Sequence, residues 1–168
     1  KREVDPFVLI CSAVFHDIGR TVNIPTLHGL HGIQGANLAN EYLKTLGIER
    51  EIREKISKAI LTHTPTSMLK PISTEAKILY DADAIERLGY IGVLRGIMLK
   101  RGSLKDILEE LVKKRKSVYR SLYFNVSKKI AKRANEETIL ILKELKNAIK
   151  KRFTEISDEK MEKSIEKL

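Results

Sequence analysis

The 168-residue sequence has no tryptophan and few other aromatics, five tyrosines and four phenylalanines. Its core must therefore be built from aliphatic side chains. Cys11 is the single cysteine, which excludes an internal disulfide, a dithiol redox pair and a structural metal site made of thiolates. Such cysteine usage fits a reducing cytoplasm. Cys11 lies within an apolar stretch, where a small core side chain is the ordinary reading and a nucleophile the rarer one. No apolar run approaches the roughly 20 residues that a membrane span needs. Lys1-Arg2 ahead of an apolar stretch imitates a signal peptide, but Asp5 and Pro6 interrupt it and His16-Asp17 follows too soon for a cleavage site. Runs that alternate apolar and polar residues are missing as well. The β-branched residues fall at helical spacing, so an all-α fold is expected.

What is present is an ordinary globular composition, 42% hydrophobic and 32% charged. The length suits one domain with a single sizeable core. The expectation is a single domain over residues 1–168, with a functional core over 7–100 and additional C-terminal helices over 103–168. The net charge of +10 is concentrated beyond residue 100. A basic face can attract phosphate or nucleic acid. Helices rich in Lys and Glu are more often solvated faces, and with a single glutamine, Gln34, they suit a thermophile. Nucleic acid is therefore not the expected partner.

The helix pattern can be followed along the chain. Phe7, Cys11, Val14, Phe15 and Ile18 recur at helical spacing, and Val8, Leu9, Ile10 and Ala13 fill the other side. This predicts a first helix over Phe7 to Phe15, buried all round. A loop with Pro25 and Gly29 leads to a second helix from His31 or Gly32 to Gly47, with Ile33, Ala36, Leu38, Ala39, Leu43 and Leu46 as its apolar positions. A third spans about Glu49 to Leu61, and a fourth is capped by Ser73 or Thr74. On that fourth helix Asp83 shares a face with Ala76 and Leu79, whereas Asp81 is expected outside, paired with Lys77. Ile91 to Leu99 is a fifth segment, and Ser103 with Asp106 opens a sixth. The seventh is expected from about Val126 to Phe153, with a stripe of Ile130, Ala134, Ile141, Leu145 and Ile149. A separate short helix or frayed tail is expected from Ile156.

The first helix runs straight into His16-Asp17. An apolar helix should not end in a bare imidazole and a bare carboxylate, because an unpaired buried charge costs several kcal/mol. The chain's four histidines, His16, His28, His31 and His63, all fall in the first 63 residues, near predicted helix ends or loops. Any one of them alone reads as a solvated or satisfied imidazole. Together with Asp17 and the inward Asp83 they can form a mixed nitrogen and oxygen site. Such a donor set suits a divalent ion, Mn, Fe, Co, Ni, Mg or Zn.

His16-Asp17-Ile18-Gly19-Arg20 resembles the HDIG signature of the HD-domain metal-dependent phosphohydrolases. His31-Gly32-Ile33-Gln34-Gly35-Ala36 is similar to that family's H-x-x-x-G-A helix start. Asp81-Ala82-Asp83-Ala84-Ile85 resembles its Asp-Ala-Asp helix, and His63 matches an additional histidine found in many members. Order and spacing agree over about residues 7–100. Lys128-Lys129-Ile130-Ala131 is similar to the C-terminal helices of small stand-alone members.

The resemblance implies an all-α, HD-like helical bundle and the ligand set H…HD…D, with His16, Asp17 and Asp83 as metal ligands. His31 and His63 would hold a second metal, donate to phosphate or protonate the leaving oxygen. Arg20, Arg87 and Arg95 would neutralise phosphate charge; the plainer readings are that Arg20 caps a helix end and that Arg87 pairs with a carboxylate. The family places one more histidine on a helix before the pair, and none precedes His16 here. Either that helix lies ahead of this sequence or the ligand is lost, and the start on Lys1 favours the first. The implied activity is cytoplasmic, divalent-metal-dependent hydrolysis of a phosphate ester or anhydride. Its substrate would be a nucleotide or another small phosphate, the nucleotide preference coming from the resemblance alone. Tyr80, Tyr90, Tyr119, Tyr123 and Phe124 are the candidates for stacking on a base. The rival readings are a non-catalytic regulatory module of the same fold and a helical nucleic-acid-binding protein using the basic C-terminal half. The oligomeric state is left open, and an oligomer is compatible with the sequence.

Overall fold

Asp5 starts the first element. Its side chain accepts from the backbone N–H groups of Phe7 and Val8, and Pro6 supplies the fixed φ favoured in a first turn. The computed structural model describes residues 3–21, 31–64, 67 and 69–165, and the side chains of these except at 114–116 and 157–165. The loop holding Pro25, His28 and Gly29 lies outside the described residues. Among those described there are seven α-helices and no strand: α1 (Pro6–Phe15), α2 (His31–Thr45), α3 (Arg50–Leu61), α4 (Thr74–Ile85), α5 (Gly89–Met98), α6 (Leu104–Ser121) and α7 (Asn125–Ile165). A 3-10 helix, Ile18–Thr21, follows α1. No described helix is long and apolar enough to cross a membrane. The chain divides into two compact units, Lys1–Ile85 with Ser121–Lys128 and Glu86–Arg120 with Lys129–Leu168.

The first unit is built on α1, α2 and α3, whose core is Val8, Ala36, Ala39, Leu43, Ile56 and Ile60, with Cys11, Phe15 and Ile52 packed at its edge. α1 is not buried all round, which corrects the expectation. Only Val8 and Ser12 are buried, while Phe7, Ile10 and Val14 are exposed, Val14 at 70%. A helix that is apolar on every side carries no polar face to mark which side will be covered. On α2 only part of the apolar set is covered. Its buried stripe is Gly32, Gly35, Ala36, Ala39 and Leu43, whereas Ile33, Leu38 and Leu46 are exposed. Small residues line this face because α2 approaches its neighbours closely. Gly47, at φ 72°, ends this helix as expected.

On α4, Ser73 caps through the N–H of Ala76, and Ala76 and Leu79 pack on Ala59 of α3. Asp81 is buried, only 2% exposed, which corrects the expectation of a surface pair with Lys77. Its two oxygens accept from the backbone N–H groups of Tyr123 and Phe124, at 2.8 and 3.0 Å, just before α7 begins. Lys77 lies instead over the Tyr123 ring. The missing information was long-range: the donors to this carboxylate are more than 40 residues away.

The second unit has its own core of Val93, Leu108 and Leu142, with Ile97, Leu111, Ile141, Leu145 and Ile149 against it. Ser103 caps α6 as expected, its hydroxyl accepting from the Asp106 N–H, and it donates in turn to the Asp106 carboxylate, which takes this hydroxyl rather than the Ser103 backbone N–H. α7 continues unbroken to Ile165, so the separate helix expected from Ile156 is not separate. Neither Gly nor Pro occurs in it to end the ladder earlier. Ile130 is exposed where the stripe predicted burial, and Ala131 and Leu142 take the inner positions.

Candidate metal centre

The site is assembled where the α1 turn meets the start of α2. Two glycines make that meeting possible. A Cβ on Gly19 would lie 2.1 Å from the carbonyl oxygen of His31 and 2.6 Å from the nitrogen of Gly35. A Cβ on Gly35 would touch Gly19, the His16 carbonyl and Ile60, all at 3.3–3.4 Å. Backbone therefore packs on backbone, and Asp17 is delivered beside His31.

α3 brings the third group. His63 follows the end of that helix and is 1% exposed. Its Nδ1 lies 2.5 Å from the Ile60 carbonyl, which can only accept, so Nδ1 carries the proton and Nε2 keeps a lone pair. The same logic applies to His16, whose Nδ1 donates to the Ala13 carbonyl at 2.8 Å. His31 Nε2 accepts from Arg20 Nη2 at 3.2 Å, which leaves its proton on Nδ1. All three Nε2 atoms turn toward one carboxylate. His31 and His63 lie 3.7 Å from Asp17 Oδ1, and His16 lies 3.8 Å from Oδ2.

Lone pairs facing a carboxylate at that range repel it, and the separations are too long for hydrogen bonds. Among the described residues, His63 Nε2 and Asp17 Oδ1 are buried atoms with no hydrogen-bond partner. Arg20 Nε comes within 2.7 Å of Asp17 Oδ1 as an ion pair, but its N–H is not directed at the oxygen. Buried polar atoms without partners are rare and ask for a reason. A cation between them supplies one. Ligand lengths of about 2.0–2.2 Å put two donors roughly 3–4 Å apart around one ion. Asp17, His31 and His63 offer donor atoms that all lie within 4.8 Å of one another. This set fits a divalent ion.

Electrostatics agree with the neutral imidazoles. Burial holds the His63 pKa below the ordinary value, reinforced by His16 and opposed by the Ile60 hydrogen bond and by Asp83 and Asp17. His31 is lowered by burial, then by the Arg20 charge, against Asp17 and Asp83. For Asp17, burial works to raise the pKa, but the Arg20 guanidinium beside it prevails and holds it low. A carboxylate charged and imidazoles uncharged is the state in which these groups bind metal.

Of the residues that the sequence singles out, the structure gathers Asp17, His31 and His63 most tightly. His16 borders them, its ring edge-on to His63 with centroids 5.2 Å apart, as is that of His31. Asp83 is half-buried on α4 and acts electrostatically on both His31 and His63. Arg20 is exposed and bridges Asp17 and His31. Arg87 is exposed and belongs to the second unit. Among the stacking candidates, Tyr80 and Tyr123 meet edge-to-face at 5.3 Å. Sequence reasoning gave no role to Gln34, whose buried Nε2 also lacks a partner among the described residues. Its being the single glutamine, one turn after His31, was the available signal.

A family model described as HD domain matches residues 1–88. No curated protein matches the chain in sequence. Several solved structures are similar in fold. The crystal structure of Bacillus subtilis YpgQ in complex with ADP is 17% identical, with a TM-score of 0.56 over 85% of this chain and 88% of that one. The selenomethionine form of YpgQ is 18% identical, with a TM-score of 0.58 over 87% and 90%. The Lin1889 protein from Listeria innocua is 18% identical, with a TM-score of 0.57 over 87% and 88%.

Proposed function

This chain belongs to the HD-domain family, and on that premise we propose that it is a cytoplasmic phosphohydrolase dependent on a divalent metal. Its substrate is a phosphate ester or anhydride of a nucleotide or another small phosphate. The observation that carries this reading is the pair of buried, unpartnered atoms, His63 Nε2 and Asp17 Oδ1, converging with His31 Nε2. Asp17, His31 and His63 hold the ion, with His16 and Asp83 completing its surroundings. A divalent ion there supplies Lewis-acid polarisation of a phosphoryl oxygen and a nucleophilic water at neutral pH.

The chain's own groups do the rest. Backbone carbonyls lock the tautomers of His16 and His63, so each imidazole keeps a fixed orientation and a free lone pair. Arg20, exposed at the rim, meets the phosphate charge with a planar donor fork. A nucleotide is favoured because the YpgQ fold, which this chain shares, was crystallised with ADP.

The test is a screen of the purified protein with Mn, Mg, Fe, Co, Ni and Zn against nucleoside mono-, di- and triphosphates and simple phosphoesters, reading released phosphate. Hydrolysis that disappears in Asp17→Asn is expected. Metal bound at this cluster with no substrate cleaved would replace the enzyme by a ligand-binding module of the same fold.

A further inference from the structure

Arg20 lies across two of the three donor atoms that face one another in the cluster. Its Nε is 2.7 Å from Asp17 Oδ1, and its Nη2 is 3.2 Å from His31 Nε2. The guanidinium thus does for those two atoms what a divalent ion would do: it offsets the carboxylate charge and takes up the imidazole lone pair. At Asp17 Oδ1 it supplies charge without a directed hydrogen bond, and it leaves the third atom, His63 Nε2, unpartnered. A guanidinium beside Asp17 Oδ1 and bonded to His31 Nε2 stands where a metal would have to approach those atoms, so the two cations exclude each other. Arg20 can leave at little cost. Its backbone is fixed by the bond from its N–H to the Asp17 carbonyl, at 2.9 Å, while its side chain is 55% exposed.

We propose that Arg20 is the cluster's own counter-cation, displaced when a divalent ion enters and thereby released to hold the phosphoryl group of the substrate. This role presupposes the metal centre proposed above and adds two things to it. Arg20 sets the metal affinity by competing for the site. It also makes metal loading and phosphate capture mutually favourable, because the ion frees the group that phosphate needs.

Competition has a sign that assistance does not. Removing a residue that helps hold the metal weakens binding, whereas removing a competitor strengthens it. Exposed ion pairs of this kind are worth up to about a fivefold factor in an equilibrium constant, and apparent affinity rises by the fraction of competent sites regained.

The full chain, stripped of metal, is titrated with Mn by calorimetry as wild type, Arg20→Gln, Arg20→Lys and Asp17→Asn. Circular dichroism melts verify folding, and the Gln and Lys variants keep the aliphatic stem. Arg20→Gln is expected to bind Mn about fivefold more tightly than wild type. Arg20→Lys should fall between the two, because lysine keeps the charge but not the fork that spans both atoms. Asp17→Asn should lose the signal, which ties the titration to this cluster. Equal or weaker binding by Arg20→Gln overturns the competition. Tighter binding by Arg20→Gln with Arg20→Lys indistinguishable from wild type assigns the effect to net charge and overturns the bridge. Inorganic phosphate is then titrated into the Mn-loaded proteins. Weaker phosphate binding by Arg20→Gln is expected, and equal binding overturns the coupling. If the Mn titrations come out as expected and no substrate is cleaved, the hydrolase reading fails while the competition stands. If no variant binds Mn, both fail together.

Discussion

Asp17 Oδ1 and His63 Nε2 face each other at 3.7 Å, and neither makes a hydrogen bond. The fold holds two electron-rich atoms together at an energetic cost. The simplest return on that cost is a bound cation. Asp17→Asn and His63→Gln should each weaken divalent-metal binding by more than the roughly 10–100-fold that losing an outer-shell partner costs. Asp17→Asn should leave the metal-free protein within about 1 kcal/mol of wild type, because the ion pair it removes, that with Arg20, is an exposed one. Calorimetric metal titration with urea unfolding in chelator measures both. Unchanged metal affinity in either variant would remove it from the centre.

Asp81 and Asp83 sit two residues apart on α4 and should behave in opposite ways. Asp81 accepts two backbone N–H groups from a buried position. In Asp81→Asn one of these donors would face an amide NH2 group. The loss should be about 2–4 kcal/mol, counting a charged hydrogen bond and an unsatisfied buried donor. Metal affinity of the folded variant should be retained. Asp83→Asn should reverse the pattern, with stability nearly unchanged and metal affinity clearly reduced. Denaturant midpoints set beside metal titrations decide it. Intact metal binding in Asp83→Asn would take that carboxylate out of the site.

These two aspartates also mark how far the sequence is legible. Periodicity places Asp83 on the inward face with Ala76 and Leu79, and the structure leaves it half-buried while Asp81 is the carboxylate that is fully buried. For Asp81 the spacing of four from Lys77 predicts an outward side chain. The partners that bury it belong to a connection more than 40 residues on, which no local pattern contains. The exposed Phe7, Ile10 and Val14 have the same origin. A helix with apolar residues on every face does not encode which neighbours will arrive. Helix boundaries are legible wherever a cap or breaker marks them, as at Ser73, Ser103 and Gly47. The end of α7, which has no such mark, is not. The site is legible as motifs, but the bridge from Arg20 to His31 depends on how the 3-10 helix lies on α2.

That seating depends on Gly19. A methyl group there would collide with the His31 carbonyl and the Gly35 nitrogen, both backbone atoms that no rotamer change can move. Gly19→Ala should therefore cost about 3 kcal/mol, the upper end of what overpacking does. It should also weaken metal binding in the molecules that remain folded, since separating the two segments separates Asp17 from His31. Gly47→Ala is a useful contrast. It has open space around its Cβ and suffers only from its positive φ, so it should lose stability without losing metal affinity. If both variants bound metal like wild type, the close approach at Gly19 would be a packing feature alone.

Acid should destabilise the metal-free protein, because the fold holds buried His63 and half-buried His31 in their neutral forms. The pKa values of His31 and His63 are lowered in the folded state, for both chiefly by burial. In the unfolded chain they return to about 6.5. Between those limits the unfolded state binds more protons than the folded one, so stability rises with pH across the window. The stabilising contribution is complete above about pH 6.5 and is lost progressively as pH falls toward the folded values. Asp17, whose folded pKa is also lowered, adds its loss only at the more acidic pH where a carboxylate titrates. Denaturant unfolding in chelator between about pH 8 and 5.5 should therefore show stability falling below about pH 6.5. The fall should be shallower in His63→Gln, because the more deeply buried of the two groups no longer titrates. Stability that rose on acidification would mean that the histidines pair in charged form with Asp17 or Asp83, and the neutral, metal-ready state inferred from their hydrogen bonds would be wrong.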